Sequence, residues 1–252
     1  MMTFHVARRE FLHYLRSPFS YVISAAFLFI VGVFFSLILD NYVQLSGQGP
    51  MFGEQSLTIT QGIIEPFSST LGLVLILFLP ALTMRVLAEE QRSGSMALLL
   101  SAPISATEIV LGKWLGLMGF LLILFTVGLG YVPVVLFAFG KAPVAPLLTA
   151  LLGLLLLAGT GSAVGVMTSS LSEKQIVAAV MSWMLLLGSW ILSFLESLEG
   201  TLGAIGRHVG LILHYESFGR ALIRSNDLAY FTLVTILCLF VAQQRIESKR
   251  WS

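Results

Sequence analysis

Charge is what this 252-residue sequence has least of. Lys, Arg, Asp and Glu make up 11% of it, against about a quarter in a soluble domain. Hydrophobic residues make up 57%, and the mean hydropathy is +0.93. A water-soluble globule is excluded, and an all-α integral membrane protein is expected. The net charge is only +1, so there is no basic field for nucleic acid and none is expected as a partner. One cysteine, Cys238, excludes an internal disulfide and a thiolate metal cluster. The phosphate-cradling pattern G-x-x-x-x-G-K-[ST] is missing. Gly112-Lys113 and Gly140-Lys141 both lack its first glycine and its final hydroxyl residue. The chain is therefore expected not to be an enzyme and to hold no cofactor or metal.

Ionisable residues are also missing where membrane chemistry would need them. Six apolar runs approach or reach spanning length: 19–39, 66–84, 114–139, 147–171, 176–195 and 228–242. None contains Asp, Glu, Lys, Arg or His. An intramembrane enzyme or a proton relay needs such groups at depth. Glu89-Glu90 followed by Arg92 has only a superficial likeness to the paired-glutamate motif of membrane prenyl-protein proteases, since the spacing differs and no histidines lie in later runs. His208 and His214, six apart and without a third ligand, make a poor metal site. No cleavable signal peptide is expected, because Arg8, Arg9, Glu10 and Arg16 interrupt the first 18 residues.

What is present is six spans, one membrane domain over 1–252 and an uneven distribution of basic residues. With the N-terminus inside, ten Lys and Arg residues fall on the inner side. Four fall outside: Lys141, Arg207, Arg220 and Arg224. This predicts both termini in the cytoplasm. Residues 3–17 read as an amphipathic helix at the interface, with Phe4, Ala7, Phe11 and Leu15 on one face and Arg9, Glu10, His13 and Arg16 on the other. Docking of that helix on a partner protein is the rival reading. Ser17-Pro18 ends it. The connection 196–227 is expected outside, with room for re-entrant helices in its glycine-containing part. Glu216, Arg220 and Arg224 stand at four-residue spacing, which predicts one charged helical face. Pro80 and Pro133 are candidate kinks, and the sixth run has room to continue as helix into the polar tail.

The segment 85–113 carries six charges between two charge-free runs. Helix-forming composition predicts that the second span continues beyond the membrane to a break at Ser93-Gly94. A short helix near Met96–Leu100 and a turn at Pro103 follow. Ser105 with Glu108 predicts a capping box opening the third span. The residues themselves leave two roles open for the Met-Leu stretch: a surface offered to a partner, or a helix flat on the inner leaflet.

At this point the sequence resembles a known family. Arg8-Arg9-Glu10, Tyr14, Ser17-Pro18 and Tyr21-Val22 carry the resemblance at the N-terminus. Pro80, Arg85, Ala88-Glu89-Glu90, Arg92, Ser93-Gly94, Leu98–Leu100, Pro103, Glu108-Ile109-Val110 and Gly112-Lys113 carry its most specific part. Ser169-Ser170 with Gln175, then His214-Tyr215-Glu216, Phe218, Arg220, Asp227-Leu228 and Tyr230-Phe231, complete it. The chain is similar to the permease subunit of a type-2 ABC transporter, near the gliding-motility and multi-copper-enzyme-maturation branch. One departure is Ala97, where the family often has a glutamate.

The resemblance implies a type-2 ABC exporter-like fold of six transmembrane helices with an N-terminal elbow helix, in a bacterial inner membrane. It implies pairing with a second permease, identical or homologous, and with separate cytoplasmic ABC ATPase subunits that bind ATP and magnesium. It further implies a coupling helix between spans two and three, which makes Arg85, Glu89, Glu90, Arg92, Gly94, Ser95, Met96, Leu99, Leu100 and Pro103 the expected ATPase-coupling residues. The expected function is ATP-driven export or translocation through an interface built largely from spans two and five. The alternative is a mechanotransmitting or scaffold subunit that moves a partner and no substrate.

Overall fold

The computed structural model describes residues 2–47, 58–94, 104–139, 143–197 and 200–250. Among them there is helix and no strand. This follows from the medium, since a chain crossing hydrocarbon must pair every backbone N–H and C=O within itself. Six helical stretches are long and apolar enough to span: Pro18–Ser46, Thr60–Ser93, Ala106–Ala138, Val144–Leu171, Gln175–Ser197 and Ser225–Lys249. An even number of spans puts the N-terminal helix and the C-terminal tail at the same end of the bundle.

In chain order the helices are α1 (Met2–Arg16), α2 (Pro18–Gly47), α3 (Glu65–Thr83), α4 (Ala88–Ser93), α5 (Ala106–Gly128) and α6 (Tyr131–Phe139). Then come α7 (Val144–Leu171), α8 (Gln175–Ser193), α9 (Thr201–Val209), α10 (Leu211–Gly219) and α11 (Ser225–Arg250). A π-helical turn, Thr60–Ile64, leads into α3, and a 3-10 turn, Phe194–Ser197, follows α8. The sixth span does continue through the polar tail, as far as Arg250. The predicted capping box is present: Ser105 Oγ accepts from Glu108 N at 3.2 Å, and Ser105 N donates to Glu108 Oε2 at 3.1 Å.

The two prolines behave differently. Pro133 is the third residue of α6, after the third span has broken at Leu129–Gly130. Its missing N–H falls where a helix start has no partner to offer. Pro80 lies inside α3, and that helix stops three residues later. The second span is therefore interrupted by turns at Met84–Leu87, earlier than the Ser93-Gly94 break that the sequence predicts.

The second and fourth spans form the centre of the bundle. A Cβ on Gly161 would collide with Leu79, and one on Gly165 with Thr83, so these glycines bring α7 against α3 inside one bundle. Polar side chains pin the third, fifth and sixth spans to this pair. Trp114 Nε1 donates to the Gly159 carbonyl and to Ser162 Oγ, both at 3.0 Å. Thr160 Oγ1 donates to the Phe231 carbonyl at 3.2 Å. Trp183 Nε1 donates to the Leu77 carbonyl at 2.9 Å. Where no water competes, such bonds are the glue between helices that hydrophobicity alone cannot sort.

Candidate coupling site

The segment expected to couple begins at the end of α3. After Thr83 the chain must turn, which leaves the N–H groups at the start of α4 without helical partners. Ser169, from the end of the fourth span, supplies one. Its Oγ accepts from Leu87 N at 3.0 Å and Ala88 N at 2.9 Å, and donates to the Met84 carbonyl at 3.2 Å. One buried hydroxyl thus closes the break on both sides. Gln91 continues the anchoring: its Nε2 donates to the Ser170 carbonyl at 3.1 Å, and its Oε1 accepts from Lys249 Nζ at 2.9 Å. Lys249 also faces Glu173 at 3.5 Å. The stem α4 is therefore held by the fourth span and by the tail of the sixth. It ends at Gly94, whose φ of +72° is the left-handed turn that glycine adopts without strain.

A second set of bonds ties this stem to the N-terminal helix. Lys113 Nζ lies 3.0 Å from Glu90 Oε1 and 3.1 Å from Glu10 Oε2, and Arg9 Nη2 lies 3.1 Å from the same Glu90 oxygen. The side chain of Lys113 is 2% exposed, that of Glu10 9% and that of Glu90 14%, whereas Arg9 is 67% exposed. Two cations and two carboxylates cancel. The two carboxylates stand around the buried lysine where water would otherwise be.

Glycines bring α1 close enough for this. A Cβ on Gly112 would stand 2.7 Å from Val6 Cβ, and one on Gly116 2.7 Å from Glu10 Cβ and from the Ala7 carbonyl. Gly112 and Gly116 are one turn apart, on either side of Lys113. They make a groove in α5 into which α1 settles with Glu10 facing the ammonium. Tyr14, one turn further along α1, donates to the Leu82 carbonyl at 3.1 Å and stacks on Phe120 at 5.3 Å. Burial, with Glu10 and Glu89 nearby, holds its hydroxyl well above the ordinary tyrosine range, so it remains a neutral donor. The reading of α1 is corrected at one residue. Glu10, expected on the solvated face, is buried against Lys113. The helix docks on α5 by the face that carries its one internal ion pair.

Of the expected coupling residues, the structure places Arg85 with its guanidinium 3.9 Å above the Phe19 ring, a favourable cation–π position. Glu90 is at the centre of the charged cluster. Glu89 and Arg92 are exposed, and Arg92 makes no ion pair with another described residue. Ser95, Met96, Leu99, Leu100 and Pro103 lie outside the described residues, as does the predicted helix near Met96–Leu100. Sequence reasoning missed Arg9, Glu10, Lys113, Ser169, Gln91 and Lys249 as partners of this stem. The legible hint was G-K-x-x-G at 112–116, a charged residue inside a small-xxx-small pattern.

A second polar cluster sits at the opposite end of the bundle. Asp227, at the start of α11, accepts from His214 Nδ1 at 2.7 Å and from Ser217 Oγ at 2.5 Å, and the His214 ring stacks on Tyr230 at 4.1 Å. Both side chains point at the aspartate, and the serine hydroxyl also lies 2.9 Å from the His214 carbonyl, so the imidazole does not take the hydroxyl proton as the base of a nucleophile would. The cluster fastens α10 to α11. The predicted charged face is only half formed. Arg220 pairs with Glu65 at 2.6 Å and faces Glu216 at 3.8 Å, but α10 ends at Gly219 and Ala221 takes a φ of +60°. Arg224 therefore belongs to the turn before α11. His208 Nδ1 donates to the Ala204 carbonyl at 2.8 Å, so the two histidines do not meet.

Comparison with curated proteins returns no match. The family model described as ABC-2 family transporter protein matches residues 4–222, from the docked helix through both spans that flank the stem to the end of α10. With most of its length covered by that match, and with six spanning helices arranged around it, the chain belongs to the ABC-2 family of transporter proteins.

Proposed function

We propose that the chain is the permease subunit of an ATP-driven exporter and receives the ATPase stroke through the 85–103 segment. Membership of the family implies ATPase partner subunits in general. The observation that carries the finer reading is the clasp of Lys113, Glu10, Glu90 and Arg9. It joins the loop stem, the third span and the N-terminal helix into one unit, while Ser169 and Lys249 extend the unit to spans four and six. A push on the loop is then delivered to several spans together and is not absorbed by a flexible connection.

In this reading both termini and the loop face the cytoplasm of a bacterial inner membrane, and α9 and α10 form the re-entrant part of the outer connection. A second permease, identical or homologous, pairs with this one. The fifth span supports that pairing with a row of exposed apolar side chains that includes Ile176, Val180, Met184 and Ile191. The pathway lies where spans two and five meet the partner copy. The sequence resemblance to the gliding-motility and multi-copper-enzyme-maturation branch points to a permease of that kind. ATP and magnesium belong to the partner ATPase.

The test places single cysteines from Met96 to Leu100 and crosslinks them to the co-purified ATPase, while ATP hydrolysis is followed in parallel. Crosslinking there, with stimulated hydrolysis weakened in Glu90→Ala and Gly94→Val at normal membrane insertion, is the expected result. No crosslink, with full stimulated turnover in both variants, sinks the coupling assignment. Movement of a defined compound in vesicles by the purified complex separates export from action on a partner alone.

A further inference from the structure

The third span is broken at Leu129–Gly130, and beside the break the bundle is not filled. A cavity of about 360 Å³ lies between the start of α3, the α5–α6 break and the start of α7, with Tyr215 of α10 at its edge. Its floor is formed by Leu71, Phe125 and Leu154, all at most 6% exposed, and its rim by Phe137, Val144 and Leu148, all more than half exposed. It is thus open on the side away from the bundle.

Three hydroxyl residues border it, and two are already committed. Tyr215 donates to the Ser68 carbonyl at 3.0 Å, and Thr126 to the Leu122 carbonyl at 2.8 Å. The wall offers almost nothing to water, and water settles in a site only where it finds polar partners. Depth decides what does fill it. Leu71 is six residues into α3, or about 9 Å, and Leu154 ten residues into α7, or about 15 Å, at the helical rise. The cavity therefore runs through one leaflet, whose hydrocarbon is about 15 Å thick. That leaflet is at the end of the bundle opposite α1.

We propose that this cleft is a binding site for one acyl chain of a membrane phospholipid, entering sideways between α6 and α7. The site reads the tail and not the headgroup. Among the described residues, the ion-paired side chains at that end, Glu65, Glu216 and Arg220, sum to one negative charge and offer no site for an anionic headgroup. The occupied cleft would brace the broken third span against the second and fourth. The proposal stands apart from the coupling assignment, because it needs neither ATPase nor loop.

The experiment reconstitutes the chain without ATPase in vesicles doped with phosphatidylcholine or phosphatidylglycerol that carries a diazirine in the acyl tail. Labelled residues are mapped by mass spectrometry. Labelling of the floor residues Leu71 and Leu154, equal for the two headgroups, is expected, since bulk lipid cannot reach them. Leu148→Trp, at the exposed rim and harmless to folding, should lower floor labelling at least tenfold. Leu154→Trp should do the same at Leu71. Labelling at Leu233 and Ile236 on the lipid-facing side of α11 should not change. A floor that is never labelled while the rim is, or floor labelling that ignores Leu148→Trp, overturns the proposal. A floor crosslinked to a second copy of the chain, through a photoreactive residue at 154, overturns it in favour of a protein occupant.

Discussion

Replacing Lys113 by methionine keeps the length and packing of the side chain and removes its charge. The outcome follows from the clasp. Glu10, 9% exposed, loses the only ion-pair partner it has among the described residues. Glu90 keeps Arg9, but that arginine is 67% exposed and holds it through solvent-screened contact. Removing one partner of a buried pair costs about 3–5 kcal/mol. With Glu90 still partly neutralised, the lower end, about 3 kcal/mol, is expected for Lys113→Met. Glu10→Gln leaves Lys113 with Glu90 and should cost about 1 kcal/mol, the scale of one hydrogen bond's net loss. The double variant buries neither an orphan carboxylate nor an unneeded ammonium, so it should be less destabilised than the sum by about 1–3 kcal/mol. The assay is denaturant unfolding of the four proteins in detergent micelles, with protease cleavage after Arg8 or Arg9 reporting release of α1. Additive costs, with a coupling energy below about 0.5 kcal/mol, would show that the two side chains are neighbours without a working interaction.

Three further outcomes are expected. Ser169→Ala orphans the Leu87 and Ala88 N–H groups at about 1–3 kcal/mol each, so both amides should exchange hydrogen markedly faster while exchange in α8 is unchanged. Gly116→Val puts a side chain into the Ala7–Glu10 backbone; overpacking at about 1–3 kcal/mol should lift α1 and open a cysteine at Ala7 to aqueous maleimide, and an Ala7 cysteine that stays protected refutes the docked helix. In a Cys238→Ala background, a cysteine at Gly47 should react only from the extracytoplasmic side, and labelling from the cytoplasm alone reverses the orientation.

Much of the architecture was legible along the chain because its signals are local. A run of about twenty apolar residues is enough to specify a span, whatever its neighbours do. Ser105 and Glu108 cap a helix within one turn, and Gly94 breaks one through its own φ. The basic residues bias orientation by composition alone. The residues that hold the stem were not legible, because the stem's partners are distant in sequence. Lys113 meets Glu10 across 103 residues, Ser169 meets Ala88 across 81, and Lys249 meets Gln91 across 158. The burial of Glu10 was not legible for the same reason, since the groove that accepts its carboxylate is formed by Gly112 and Gly116 of α5 beside Lys113. Sequence alone determined how many helices are long and apolar enough to cross, but not where the second and third of them break. Only the tertiary structure decided which buried charges face each other, because that depends on how closely packed backbones approach and not on any periodicity within one helix.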